Sequence, residues 1–166
     1  AFESINYPYV GAVDSRGLEV YENRIPPLKG PCRLKNHLEK KIFLIKLVPG
    51  FDGRIFQMLH ESGYKALIIE AFGMGGIPTM SPEVLDDLRD VIEKGMLVVV
   101  KSQCLYEGSN LSVYETGQEA LKAGVLQGYD MSTEAIVTKL MWLLGQDLSR
   151  KETEEMFYKN LAGEIR

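Results

Sequence analysis

The chain is poor in the residues on which most catalytic and metal chemistry is built. Its 166 residues include only two cysteines, two histidines and one tryptophan. Cys32 and Cys104 lie too far apart to frame a disulfide scaffold, and reduced thiols in a cytoplasmic protein are expected. His37 and His60 build no His/Cys/carboxylate cluster with ligand spacing, so no metal is expected. Positive charge is not in excess either: 19 Lys and Arg stand against 23 Asp and Glu, for a net charge of −4. With a pI near 5.3, a nucleic-acid partner is not expected. No stretch approaches the roughly 20 apolar residues of a membrane span, and no signal peptide is visible. The chain starts at Ala1 without Met, which reads as a fragment boundary or a processed end. What remains, 45% hydrophobic and 25% charged residues, is ordinary for one domain with a sizeable core.

Residues 1–40 differ from the remainder of the chain. Pro8, Pro26, Pro27 and Pro31 stand among Gly11, Gly17 and Gly30, a density that opposes a central strand or a long helix. The one strand-like piece is Leu18-Glu19-Val20-Tyr21. Two readings stand side by side: an interdomain arm belonging to another surface, or a strap lying on its own domain.

From Lys41 the pattern becomes regular. Residues 42–48 read as a strand, and Pro49-Gly50-Phe51-Asp52-Gly53 as a turn with Asp52 capping a helix to about Glu61. The run Ala66-Leu67-Ile68-Ile69-Glu70-Ala71 has no polar alternation until Glu70, the pattern of a strand covered on both faces. A glycine-rich turn comes next, Phe72-Gly73-Met74-Gly75-Gly76-Ile77-Pro78. Ser81-Pro82-Glu83 starts a helix that Gly95 stops. Met96-Leu97-Val98-Val99-Val100 is a third buried strand. The loop 102–110 leads to a helix through Tyr114, Gln118 and Leu121, and a very short strand is expected at Val125-Leu126. Asp130 and Ser132 are both placed to cap a helix through Ile136 and Leu140, whose Trp142-Leu143-Leu144 end should be well buried. A last amphipathic helix spans 149–160. Strand alternating with helix demands parallel pairing. The expected fold is therefore α/β: a small three-layer domain with a short, mainly parallel sheet of three to four strands flanked by helices, Rossmann/flavodoxin-like, plus an extended N-terminal arm.

Function should lie at the carboxyl ends of the strands. Gly73-x-Gly75-Gly76 fails as a dinucleotide fingerprint, because the third glycine would fall at Pro78 and no helix opens inside the turn. Cys104 sits past the third strand where a nucleophile could stand, but neither histidine is placed to activate it. Tyr114 and Glu115, with Tyr106 and Glu107 across the loop, could hold an ammonium or an amide, or form a solvated helix start. Glu70 ends a buried strand and must be paired, hydrogen-bonded or near water. The acids Glu152, Glu154 and Glu155 read as a solvated helix face. No nucleophile–base–orienter trio and no phosphate cradle assemble, and no cofactor is expected.

Several short motifs carry a likeness in the right order. The first are Ala1-Phe2-Glu3-Ser4-Ile5-Asn6-Tyr7-Pro8, Val48-Pro49-Gly50, Ala71-Phe72-Gly73-Met74-Gly75-Gly76-Ile77-Pro78, Ser102-Gln103-Cys104 and Tyr114-Glu115-Thr116-Gly117. The last are Asp130-Met131-Ser132-Thr133-Glu134-Ala135, Thr138-Lys139-Leu140 and Asn160-Leu161-Ala162-Gly163-Glu164-Ile165. Through them the chain resembles the carboxyl-terminal part of bacterial type I (cytoplasmic) L-asparaginases. The resemblance implies an interdomain linker over 1–40, a carboxyl-terminal α/β domain over 41–166, and an amino-terminal catalytic domain absent from this sequence. It implies hydrolysis of the L-asparagine side-chain amide to aspartate and ammonia by the whole enzyme. That enzyme would be a cytoplasmic dimer or tetramer in which this domain borders a neighbour's active site. No catalytic residue carries over, since the Thr-Gly-Gly-Thr and Thr-Asp motifs are missing. Gly75, Gly76, Tyr114 and Glu115 would line the substrate rim, and Glu70 and Cys104 an effector pocket. Relatives often have Asn where Gly76 stands and some have Arg where Glu70 stands, so both contacts would differ here. An asparaginase-like subunit of a tRNA-dependent amidotransferase, an amino-acid-binding regulatory module and a dimerisation domain are the alternatives.

Overall fold

The computed structural model describes residues 4, 5, 7–25, 27, 30, 31, 33–73 and 82–166. Two short strands come first, β1 (Gly11–Asp14) and β2 (Gly17–Val20). After the arm, β3 (Ile42–Lys46), α1 (Arg54–Glu61), β4 (Ala66–Ala71), α2 (Pro82–Glu93) and β5 (Leu97–Ser102) alternate. They are followed by α3 (Glu115–Lys122), β6 (Leu126–Gln127), α4 (Thr133–Leu144) and α5 (Arg150–Phe157). The main sheet runs β3-β4-β5-β6, every neighbouring pair parallel. The α/β expectation therefore holds, with four strands.

Side-chain alternation along the strands divides the core. Leu67, Ile69, Val98 and Val100 pack with Phe56, Leu59, Leu88 and Ala120 on the face of α1, α2 and α3. Ile68, Val99 and Leu126 pack with Ile136, Leu140, Leu143 and Phe157 on the face of α4 and α5. Both faces are apolar and covered, which is why β4 and β5 lack alternation in the sequence. The strand order never reverses in this sheet, so the described strands form no switch-point crevice of the kind that holds nucleotides in doubly wound folds. The carboxyl ends form a rim.

Local signals set most boundaries. Ser132 accepts from Ala135 N (3.2 Å) and caps α4. Ser149 and Glu152 form a reciprocal capping box on α5, so Glu152 is a cap as well as part of a solvated face. Two expected caps are corrected. Asp130 does not cap α4: it accepts from Arg166 N (3.2 Å) and pairs with the Arg166 side chain (3.5 Å). Gly53 is the N-cap of α1, and Asp52 accepts instead from Arg54 N (3.0 Å) and pairs with its guanidinium. Of the Trp142-Leu143-Leu144 end, only Leu143 is fully buried.

The arm also departs from expectation. It holds a two-stranded antiparallel hairpin, not one isolated strand, with Val13 paired to Leu18 and Gly11 to Val20. Farther on it lies along α4. Trp142 Nε1 donates to Lys35 O (3.2 Å), Gln146 Nε2 to His37 O (3.1 Å) and Glu39 N to Met141 O (2.8 Å). Gly145 allows this approach, since a Cβ there would lie 2.3 Å from His37 O. Residues 35–39 are thus a strap on their own domain, whereas the hairpin is exposed.

Candidate functional site

Three of the apolar strands carry a charged residue at or one before their last position, and parallel register brings those residues level. Lys46 pairs with Glu70 and Glu70 with Lys101, so the row Lys46–Glu70–Lys101 crosses the carboxyl end of the sheet on the α4 face. The first helical residue of α4 closes the row. Thr133 Oγ1 donates to Glu70 Oε1 (2.6 Å) and accepts from Lys101 Nζ (2.9 Å). The hydroxyl serves both partners because it carries one donor and two acceptor sites. Lys101 is 7% exposed, and burial lowers its ammonium pKa, opposed by the Glu70 and Glu134 charges and assisted by Lys46. Glu70 is accordingly hydrogen-bonded, one of the three outcomes its position required.

The opposite face of the same rim is stitched by backbone contacts. Gln103 Nε2 donates to Leu47 O (2.8 Å) and Glu70 O (2.9 Å), tying the ends of β3 and β4 to β5. Ser102 Oγ donates to Gly73 O and accepts from Cys104 N (2.8 Å). Gly73 adopts φ +53°, the left-handed conformation that glycine takes without strain. The Ser102-Gln103-Cys104 motif thus fixes the entry into the glycine turn at Gly73. Cys104 is half-buried and unbonded to another cysteine among the described residues. Its neighbour Gln103 reaches the Glu70 carbonyl, while the Glu70 carboxylate is bonded to Thr133 on the α4 face. Gly75 and Gly76 lie outside the described residues.

Tyr114 and Glu115 sit at the start of α3, both exposed. Tyr114 is the N-cap by backbone conformation, with no hydrogen bond from its side chain to the helix. Tyr106 and Glu107 are exposed on the preceding loop. The β5–α3–β6 connection puts this loop at the same carboxyl end, so topology brings Tyr106, Glu107, Tyr114 and Glu115 to the same end of the sheet as Glu70 and Cys104. Among the described residues it does not gather a catalytic set. His60 lines a small cavity of about 90 Å³ with Gly95 and Met96, which precede β5, at the other end of the sheet from Cys104. His37 lies in the strap. No group of three or more potential metal ligands occurs among the described residues.

Two cavities adjoin α4. One, of about 350 Å³, is lined by Thr138, Trp142 and Leu161, with Lys139 and Glu164 in its wall. The other, of about 300 Å³, lies between Tyr7, Asp130, Ser132 and Gly163. Lys139 is paired with Glu164, with side chains 4% and 12% exposed, and also donates to Lys159 O (2.6 Å). Glu164 accepts from Leu161 N (3.1 Å) and Ala162 N (2.6 Å). The Thr138-Lys139-Leu140 and Asn160–Ile165 motifs therefore meet as a clasp that fastens the tail to α4.

A sequentially ordered parallel sheet, covered on both faces and open at the rim of its carboxyl ends, defines a domain of the α/β class. Residues 41–157 match the family model described as "Glutaminase/Asparaginase C-terminal domain", and the chain belongs to that family. It is 40% identical over 167 residues to a glutamyl-tRNA(Gln) amidotransferase subunit of Archaeoglobus fulgidus, covering 99% of this chain and 39% of that protein. To the corresponding subunit of Pyrococcus furiosus it is 35% identical over 170 residues, covering 99% and 37%. Among solved structures it resembles the thermostable L-asparaginase of Thermococcus kodakarensis (TM-score 0.86, 33% identity) and L-asparaginase I of Vibrio cholerae (TM-score 0.87, 32% identity). Each alignment covers 100% of this chain and 50% of the other. The chain thus spans well under two thirds of the relatives it matches. No helix among the described residues is long and apolar enough to cross a membrane.

The Lys46–Glu70–Lys101 row and its Thr133 bridge were not legible as a site in the sequence, although Glu70 was. The available signal was the charged residue closing each apolar run. The Lys139–Glu164 clasp left no such signal.

Proposed function

We propose that this chain is the carboxyl-terminal domain of a longer enzyme that hydrolyses a side-chain amide and releases ammonia. The observation that carries the reading is the family match over residues 41–157, with near-complete alignment to about half of two L-asparaginases. In the whole enzyme a threonine hydroxyl outside this chain attacks the amide carbon. The C–N bond breaks, ammonia leaves, and water then cleaves the acyl-enzyme to the free carboxylic acid. For L-asparagine the product is L-aspartate. The chain contributes the rim: Tyr114 and Glu115 with Gly75 and Gly76 border the substrate of a neighbouring subunit in a cytoplasmic homo-oligomer. Glu70 and Cys104 mark a second, effector pocket that is altered in this chain, since the Glu70 carboxylate is held by Thr133 and supplies no cation for an effector's carboxylate. No cofactor takes part.

A second form of the same chemistry is favoured by a specific observation, the 40% identity to a glutamyl-tRNA(Gln) amidotransferase subunit. In that form the ammonia is passed to glutamyl-tRNA(Gln). One experiment separates the two. Ammonia release by the purified full-length protein is measured with L-asparagine and L-glutamine, with and without glutamyl-tRNA(Gln) and companion subunits. Saturable release from free L-asparagine alone supports the asparaginase, and release that depends on the charged tRNA supports the amidotransferase. No release under either condition overturns the amide-hydrolase reading. The 166-residue chain by itself is expected to release none.

A further inference from the structure

The hairpin of β1 and β2 is amphipathic in the wrong direction for an isolated element. Register puts Gly11, Val13, Leu18 and Val20 on one face and Ala12, Asp14, Gly17 and Glu19 on the other. Such alternation marks a sheet with one covered face. Yet Val13 is 80% exposed, Leu18 71% and Val20 48%. Two strands alone are marginally stable in water, and an exposed apolar hairpin face is a surface awaiting a partner.

Among the described residues, the domain does not supply one. The arm meets the domain near its two ends. Toward its start Asn160 Nδ2 donates to Tyr7 Oη (3.4 Å) and the Arg166 guanidinium lies 5.3 Å from the Tyr7 ring centroid. It returns at Lys35, whose carbonyl accepts from Trp142. Between these points, among the described residues, 10–25 hydrogen-bond only to one another and to Tyr9. The hairpin is an excursion tethered at its base. It also lies outside the 41–157 family match but inside the 99% of the chain aligned to the Archaeoglobus amidotransferase subunit, of which this chain covers only 39%.

We infer that the Val13–Leu18–Val20 face is a docking surface for the remaining part of the longer polypeptide, and that the hairpin folds with that part. Asp14 and Glu19 on the reverse face stay in water. This rests on the chain being one piece of a longer protein and not on that protein's substrate.

Hydrogen exchange tests it. Amides of residues 11–20 are followed in the full-length polypeptide and in the 166-residue chain. Protection in the full-length protein is expected to exceed that in the short chain by at least about 10-fold. The Val13→Glu/Leu18→Glu variant of the full-length protein is expected to lose the difference. Equal exchange in the two unsubstituted proteins overturns the proposal without requiring the variant to fold. Protection in the short chain that rises with its concentration also overturns it, because the partner is then a second copy. Ammonia release is read separately, so a full-length protein with no amidase activity but a protected hairpin refutes the function and keeps the interface.

Discussion

Lys139 and Glu164 form an ion pair whose side chains are 4% and 12% exposed, so the two truncations are not equivalent. Without Lys139, Glu164 keeps the backbone donors of Leu161 and Ala162. Without Glu164, a buried ammonium keeps one hydrogen-bond acceptor, Lys159 O, and the Phe157 ring 5.8 Å away among the described residues. Glu164→Ala is therefore expected to cost more than Lys139→Ala, toward the upper end of the roughly 3–5 kcal/mol for breaking a buried pair. Chemical denaturation of both variants measures the order. Burial raises the Glu164 pKa, but the Lys139 and backbone hydrogen bonds outweigh it and the net direction is down. A depressed carboxyl pKa contributes stability above its unfolded value, near 4.5, and loses it as pH falls through the lower folded value. Unfolding midpoints below pH 4.5 should drop more steeply in the parent than in Glu164→Gln. At the rim, Glu70→Gln removes a charge that supports the Lys101 ammonium, so the Lys101 pKa should fall further, as followed by NMR titration of its side chain. The sequence exposed Glu70 as an oddity but hid its partner, because Thr133 is 63 residues away and meets it only once α4 lies on the sheet.

At the scale of elements, close approach decides more than propensity. Gly117 lies inside α3, where alanine would ordinarily be the better helix former. Here a Cβ would lie 2.1 Å from Leu111 O, in the short 3-10 turn Leu111–Val113 that packs on α3. Gly117→Ala must push the turn and the helix apart, and overpacking of this kind costs about 1–3 kcal/mol. Thermal unfolding should show the loss despite the gain in propensity. Ser149→Ala removes one half of the capping box on α5 and should cost about 0.5–2 kcal/mol, read as a lower midpoint in urea. The long elements were readable because β4 and β5 are covered on both faces and so appear as continuous apolar runs. The first strand of the hairpin was not. Gly11-Ala12-Val13-Asp14 carries one β-branched residue between small and polar ones, and only its pairing with Leu18-Glu19-Val20 makes it a strand. Asp130 misled for a similar reason: its place before α4 fits a cap, but the tail brings Arg166 to it, and Ser132, nearer the helix, caps instead.

At the scale of the molecule, the arm divides at the strap, and the two parts should contribute unequally to stability. Residues before the strap reach the domain through Tyr7, whose hydrogen bond with Asn160 is long at 3.4 Å. The hairpin beyond it adds exposed apolar area and self-contained hydrogen bonds. The strap itself covers the outer face of α4 with three hydrogen bonds, from Trp142, Gln146 and Glu39 N. Its continuation at Lys41 accepts from Lys65 N (2.7 Å) just before β4. A truncated chain beginning at Leu34 keeps all of these contacts and should unfold within about 0.5 kcal/mol of the parent, the usual range for surface changes. A chain beginning at Lys41 loses the three strap bonds and bares the Trp142 indole. At about 1 kcal/mol per net hydrogen bond, partly offset by the ordering entropy no longer lost, it should be less stable by about 1–3 kcal/mol. Urea titration of the two truncations decides between a structural strap and a passive linker. If both unfold like the parent, α4 holds its place without the strap and the arm belongs wholly to the surface that the hairpin faces.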